Sequence, residues 1–200
     1  MKIQIIISFL FLTFSSTNLF SNDLLNSYSF EYQRKYNEAL ALTVKLGTEN
    51  PKEYFYQLRA GWLSLLNGDF TKSIEYYRKA QVLEPNSIEP KIGILKAQIA
   101  LGQAKQIETS CRTILRQDPK NYFARTNLAY YLYSQGNFKE STVVYAEILQ
   151  DFPTDVEMGL GLGWSKLKEG EKSSARAVFQ KVLVISPENA RAKEGLEYAK

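Results

Sequence analysis

The chain has 200 residues, of which 44% are hydrophobic and 23% are charged, values typical of one globular domain with a buried core. Its 25 basic and 21 acidic residues give a formal net charge of +4 and are scattered, which argues against the clustered basic surface of nucleic-acid-binding proteins. One cysteine and no histidine exclude internal disulfides, histidine metal sites and serine–histidine or cysteine–histidine catalytic pairs. We therefore expect a non-enzymatic protein without catalytic residues, metal or cofactor.

The first residues have the layout of a signal peptide. Lys2 precedes the uncharged apolar run IQIIISFLFLTF, and small polar residues follow this run. The run is shorter than the roughly 20 residues that span a bilayer, so we expect cleavage rather than a membrane span in the mature chain. Small residues predict a cut after Thr17 or Ser21. Residues 1–21 are therefore interpreted as a signal peptide, and the mature chain as exported, periplasmic or secreted.

Glycines and prolines recur along the chain with a period of 34 residues, and each glycine precedes a proline by 17 residues. Glycine tolerates the positive φ of a tight turn, and proline cannot continue a helix. The period therefore predicts repeated units of helix, turn, helix and turn. The glycines are Gly68, Gly102, Gly136 and Gly170, and the prolines are Pro51, Pro85, Pro119, Pro153 and Pro187.

Within the segments NGDFTKSIEYYRKAQVLEPNS and QGNFKESTVVYAEILQDFPTD, an aromatic follows the glycine by two residues, a small residue by five and a second aromatic by nine. Together with the 34-residue period, this pattern resembles the tetratricopeptide-repeat family. The resemblance implies an all-α, right-handed α-solenoid of stacked helical hairpins. It covers residues 54–189 as units one to four, which are 54–87, 88–121, 122–155 and 156–189.

Unit two departs from the pattern at three packing positions. Leu95 stands where the other units have a small residue, and Ala104 and Cys111 stand where units one and three have aromatic residues. We therefore expect its helices to pack less regularly. Cys111 shares a helix face with apolar residues, which indicates a buried, inert thiol.

The segments that flank the four units continue the same pattern. Residues 22–53 are interpreted as a degenerate N-terminal repeat in which Arg34 replaces the turn glycine. Residues 190–200 begin another hairpin and stop after one helix, which is typical of a C-terminal capping helix that shields the last apolar face.

The resemblance implies that the first helix of each unit lines the concave surface of the solenoid. Positions within a unit are numbered as places 1 to 34 from its first residue. At 100° per residue, the side chains at places 2, 5, 9 and 12 point on average about 130° away from the packing face of the first helix. Twelve of these sixteen places are apolar or aromatic, and such an exposed stripe is typical of an interaction site. The candidate groove residues are Phe55, Leu58, Trp62, Leu65, Ile92, Lys96, Ile99, Phe123, Tyr130, Tyr133, Leu160, Trp164 and Leu167.

Some tetratricopeptide-repeat proteins bind the C-terminal carboxylate of chaperones with lysine and asparagine side chains. This chain does not match that pattern, since place 5 holds Leu58, Ile92, Thr126 and Leu160. Asn127, at place 6 of unit three, is the one agreement and is interpreted as structural.

These features predict a protein–protein interaction scaffold or adaptor of the cell envelope. Its partner is expected to be a peptide or amphipathic helix of another protein, bound in a groove centred on Trp62, Tyr130 and Trp164. Two alternatives to partner binding stay open. In the first, the aromatic stripe forms the interface of a homo-oligomer; in the second, the protein's own residues 22–33 cover the stripe.

Overall fold

A computed structural model of the protein describes residues 22–200, which form eleven consecutive α-helices without a β-strand. The signal peptide predicted for residues 1–21 lies outside this range. No helix within the range is both long enough and apolar enough to cross a membrane. The helices are α1 (Asn22–Tyr32), α2 (Tyr36–Glu49), α3 (Tyr54–Leu66), α4 (Phe70–Leu83), α5 (Glu89–Ala100), α6 (Ala104–Gln117), α7 (Tyr122–Ser134), α8 (Phe138–Asp151), α9 (Val156–Lys168), α10 (Lys172–Ile185) and α11 (Ala190–Tyr198).

The helices stack in chain order. Each helix packs against the helices directly before and after it, and first helices of successive units also meet, as α3 does with α5 and α9 with α11. Short-range packing of this kind produces a solenoid. The all-α solenoid predicted from the 34-residue period is therefore confirmed.

The turn between the two helices of a unit uses a left-handed backbone. Gly68, Gly102, Gly136 and Gly170 have φ between +65° and +84°. Arg34, at the equivalent position of the upstream pair, has φ +59°. This conformation costs an L-residue about 1 to 2 kcal/mol and costs glycine little. The arginine therefore preserves the turn at an energetic cost.

Successive units are joined by a buried ring that lies against a glycine. The ring belongs to the second helix of one unit, and the glycine to the first helix of the next. A Cβ added to each glycine would come within 2.3 Å of the ring, and each ring is almost fully buried, so it cannot move aside. The pairs are Tyr77 with Gly93, Tyr145 with Gly161, and Phe179 with Gly195.

Between units two and three the sizes at these two positions are reversed, because the small Cys111 stands in place of the ring and the larger Asn127 stands in place of the glycine. Each glycine lies 16 residues after its ring, and at the same spacing Asn127 follows Cys111. Leu95 is completely buried beside Cys111 and replaces part of the missing ring volume. As expected, Cys111 is buried, and burial raises the pKa of its thiol to about 12. The helices α5 and α6 also pack less closely than the helices of the other units.

The turn geometry predicts opposite effects of two substitutions. Arg34→Gly should raise the free energy of unfolding by about 1 kcal/mol, because glycine adopts positive φ without strain. Gly136→Ala should lower it by a similar amount, although an added Cβ there meets no atom within 4 Å. Urea unfolding measures both changes. A loss of stability in Arg34→Gly would contradict this reading of the turn.

The ring–glycine pairs predict a position-specific cost of one methyl group. Gly161→Ala should lower the free energy of unfolding by about 1 to 3 kcal/mol through overpacking against Tyr145, despite the higher helix propensity of alanine. The matched control is Asn127→Ala, at the same place one unit earlier, which should change stability by less than about 1 kcal/mol. An equal loss of unfolding free energy in the two variants would contradict the claim that the ring needs a glycine opposite it.

Candidate protein-interaction groove

The thirteen candidate groove residues lie on the first helices α3, α5, α7 and α9, but they differ in exposure. Trp62 is 37% exposed and Tyr130 is 43% exposed, and Lys96 and Ile99 are also exposed. Leu160 is completely buried in the core around Phe179, so it supports the surface from below. The half-buried residues are Phe55, Leu58, Leu65, Ile92, Phe123, Tyr133, Trp164 and Leu167.

Five candidate residues meet in a cleft of about 370 Å³ between α3 and α5, the N-terminal cleft. The pair of Tyr77 and Gly93 also lines this cleft, where the almost fully buried ring and the glycine backbone form part of its floor. The full lining is Phe55, Leu58, Arg59, Trp62, Tyr77, Glu89, Ile92, Gly93 and Lys96.

A second cleft, of about 400 Å³, lies between α7, α9 and α11 and is called the C-terminal cleft. It contains the ring–glycine pair of Tyr145 and Gly161, and the ring of Tyr130 packs edge-on against Tyr145 with centroids 5.9 Å apart. The full lining is Tyr130, Tyr133, Tyr145, Gly161, Trp164, Lys168, Arg191 and Glu194.

The sequence analysis did not select Lys168, Arg191 and Glu194 for the groove. Lys168 lies one place beyond the four places considered, and the other two belong to the capping helix α11. Extending the 34-residue period into α11 would have found them, since Arg191 and Glu194 occupy places 2 and 5 of the interrupted fifth unit.

Lys96 lies between aromatic residues of two neighbouring units. Its ammonium group is 5.7 Å from the ring centroid of Trp62 and 5.8 Å from that of Phe123. Both distances allow a cation–π attraction. The exposed lysine thus connects the aromatic surface of α3 with that of α7.

Helix α1 contacts one edge of the groove. Trp62 Nε1 donates a hydrogen bond of 2.8 Å to Glu31 Oε1, and Glu31 Oε2 lies 2.8 Å from Arg59 Nη1. The guanidinium of Arg59 lies 3.7 Å from the ring centroid of Tyr28. Residues of α1 therefore hold the edge of the indole while part of Trp62 stays accessible.

Two further carboxylates of the groove are also engaged. Tyr54 donates its hydroxyl hydrogen to Glu89 Oε2 across 3.0 Å. Glu157 Oε2 forms an ion pair of 2.9 Å with Arg191 Nη1. Arg191 offsets the negative charge of Glu157, whereas the neutral hydroxyl of Tyr54 leaves Glu89 negatively charged.

Trp164 is covered more fully than Trp62. Its ring lies 5.5 Å from the buried ring of Phe179 and 5.9 Å from that of Tyr198 on α11, measured between centroids. The indole therefore anchors the capping helix as well as lining the C-terminal cleft.

Comparison with known proteins places the repeats in a wider context. A family model described as tetratricopeptide repeat matches residues 56–87. The chain is 30% identical over 126 residues to the protein CTR9 homolog of Arabidopsis thaliana, across 62% of this chain and 11% of that protein. It is 24% identical over 140 residues to a putative cytochrome c-type biogenesis protein, CcmH, of Haemophilus influenzae, across 68% of this chain and 30% of that protein. The chain thus spans less than a third of either relative.

Among solved structures, the chain resembles YrrB, described as a tetratricopeptide-repeat protein with an unusual peptide-binding site. The TM-score is 0.73 at 14% sequence identity, over 88% of this chain and 90% of YrrB. This similarity shows a shared solenoid fold.

The unequal cover of the two indoles predicts different fluorescence from single-tryptophan variants. Trp164→Phe leaves Trp62, which should emit at longer wavelength and be quenched strongly by acrylamide because water reaches its ring. Trp62→Phe leaves Trp164, whose emission should be blue-shifted and weakly quenched. Emission spectra and quenching constants measure this difference, and equal constants for the two variants would contradict the described burial.

Proposed function

The chain is a tetratricopeptide-repeat protein, and from this premise we propose that it holds a peptide or helix of another protein in its concave groove. The fold is that of a protein–protein interaction scaffold. One observation carries the finer proposal. Exposed aromatic side chains line two clefts on the first helices of the solenoid, with Trp62 in the N-terminal cleft and Tyr130 in the C-terminal cleft.

The size and lining of the clefts suit large apolar side chains. Ligand pockets typically enclose about 300 to 1,000 Å³, and both clefts fall within this range. Each large side chain that a partner buries contributes about 1.5 to 3 kcal/mol before the cost of ordering. Three or four such anchors suffice for binding in the micromolar range, which corresponds to about 8 kcal/mol.

Self-association is the second candidate, and helix α1 carries the observation that favours it. Leu25, Tyr28 and Tyr32 lie at helical spacing on α1, and all three are exposed, Tyr32 to 92%. These side chains belong to α1, the first described helix, and a second copy could bury their exposed parts.

We also propose that the protein works in the cell envelope. The support is the charged start, apolar run and small residues of 1–21. Either proposed cut precedes α1, so both would leave every described helix intact.

A photo-crosslinking experiment distinguishes the two candidate functions. A photoreactive phenylalanine at Tyr130 should form adducts with a different protein when the full chain is expressed in its native cells. The matched control is Val184 on α10, which is 83% exposed and outside both clefts. Adducts only between copies of the chain would favour self-association, and equal partner adducts at Val184 would contradict the groove.

N-terminal sequencing of the purified natural protein tests the envelope proposal. The expected first residue is Asn18 or Asn22, recovered from the envelope or the medium, because cleavage follows Thr17 or Ser21. A protein recovered from the cytoplasm that still begins at Met1 or Lys2 would contradict export.

A further inference from the structure

The junction between α2 and α3 has polar contacts where other junctions have a ring and a glycine. Each of those glycines lies 16 residues after its ring, and at the same spacing Arg59 follows Thr43. Arg59 Nη2 donates a hydrogen bond of 3.1 Å to Ser27 Oγ of α1, and Ser27 Oγ lies 2.9 Å from Thr43 Oγ1. All three residues are buried. Polar side chains of α1, α2 and α3 therefore hold this junction together.

Helix α1 has little apolar attachment to the rest of the solenoid. Of its residues, only Leu24 and Ser27 are buried. The last helix, α11, also buries few residues, but there the ring of Phe179 lies against Gly195. Elements with few buried apolar contacts open at the lowest cost in free energy. Helix α1 is therefore the helix that we expect to open first.

One carboxylate of α1 contacts two residues of the N-terminal cleft from outside. Glu31 Oε1 accepts the hydrogen bond from Trp62 Nε1, and Glu31 Oε2 pairs with Arg59 Nη1, both across 2.8 Å. Trp62 and Arg59 line the cleft, whereas no residue of α1 does. The carboxylate thus engages an indole N–H and a guanidinium N–H of the cleft wall.

We propose that α1 is a displaceable strap that closes one edge of the N-terminal cleft, and that its opening controls access to Trp62 and Arg59. In the closed state Glu31 occupies both donors. In the open state α1 swings away from α2 and α3, and a ligand in the cleft can use them. The inference rests on the proposed function and adds the regulation of the same groove. Because coupling is reciprocal, a ligand that binds the open state also holds α1 away.

The ion pair between Glu31 and Arg59 suits a contact that opens and closes. The side chain of Arg59 is 6% exposed and that of Glu31 is 22% exposed. Taking an ion pair out of water costs free energy that its attraction roughly offsets, so the pair adds little net stability but fixes one arrangement. Opening of α1 returns both charged groups to water, which keeps the two states close in free energy.

The turn between α1 and α2 is the hinge of the strap. Arg34 has φ +59° in the closed state, a conformation that is strained for a residue other than glycine. When α1 leaves α2, Arg34 can return to a negative φ, and the strain is released. The turn therefore favours opening at this point of the chain.

Hydrogen–deuterium exchange of the full chain, followed by mass spectrometry, tests the opening of α1 without any ligand. Glu31→Gln should speed exchange in α1 about tenfold or more, because Arg59 loses its ion pair. Arg34→Gly should slow it about fivefold, since glycine relieves the strain of the closed state. The matched control is Glu140→Gln, which removes a 2.8 Å ion pair with Arg112 and should leave exchange in α1 unchanged.

Tryptophan fluorescence reports the same opening from the side of the groove. In the Trp164→Phe background, Glu31→Gln should shift the emission of Trp62 to longer wavelength and increase its quenching by acrylamide. In the Trp62→Phe background, the same substitution should leave the emission of Trp164 unchanged, because α1 does not contact this indole in the structure.

Peptide binding tests whether the opening controls the groove. The probe is a peptide that the full chain selects from a random library displayed on phage and that Trp62→Ala no longer binds. Its apparent Kd is inversely proportional to the fraction of open chains, so Glu31→Gln should lower the Kd by about the factor by which it speeds exchange in α1. Arg34→Gly should raise the Kd, and added peptide should speed exchange in α1 of the wild type.

The outcomes separate the strap from the proposed function. Exchange in α1 that Glu31→Gln leaves unchanged, or that rises equally in α2 and α3, would overturn the strap. Weaker peptide binding by Glu31→Gln, or slower exchange in α1 when peptide is added, would also overturn it, because α1 would then form part of the binding site. Failure to select any peptide that depends on Trp62 would contradict binding in the groove, and the exchange measurements would still decide whether α1 opens.

Discussion

A buried aromatic ring against the bare backbone of a glycine is the contact on which this solenoid depends. It recurs between successive units and brings the second helix of one unit close to the first helix of the next, as for Tyr77 with Gly93 and Tyr145 with Gly161. The same contact contributes to the groove, because the buried ring and the glycine backbone form part of the floor of each cleft. Both clefts contain such a pair. Packing between units and the form of the surface therefore have one cause.

Two places in the stack differ from this ring–glycine contact: the junction of units two and three, and the C-terminal end. Where Cys111 and Asn127 replace the ring and the glycine, Leu95 is fully buried beside Cys111, and the side-chain amide of Asn127 donates a hydrogen bond to Phe123 O on its own helix. At the C-terminal end, Phe179 still has its glycine, but Trp164 packs against that ring and Tyr198 packs against Trp164. Four similar units thus produce two separate aromatic clefts, and Lys96 lines the N-terminal cleft and reaches Phe123 of the next unit.

The sequence predicts the helices and the solenoid well because turns and helix ends depend on local chemistry. Even Arg34 keeps the left-handed turn of the glycine it replaces. Helical periodicity also selects five of the nine residues that line the N-terminal cleft and three of the eight that line the C-terminal cleft. It cannot show that Leu160 is fully buried or that Tyr198 covers Trp164, since both depend on contacts between helices. The cleft wall on the capping helix follows the repeat pattern and is found only when the 34-residue period is extended into the incomplete fifth unit.

The most direct test of the account is the effect of Cys111→Tyr on the free energy of unfolding in two backgrounds. In the wild-type chain the new ring meets Leu95 and Asn127, so we expect a loss of about 1 to 3 kcal/mol. In Leu95→Ala/Asn127→Gly, which copies the small residues of the next interface, the same substitution should stabilise the protein. A loss of equal size in both backgrounds would contradict the claim that size-matched ring–glycine pairs join the units.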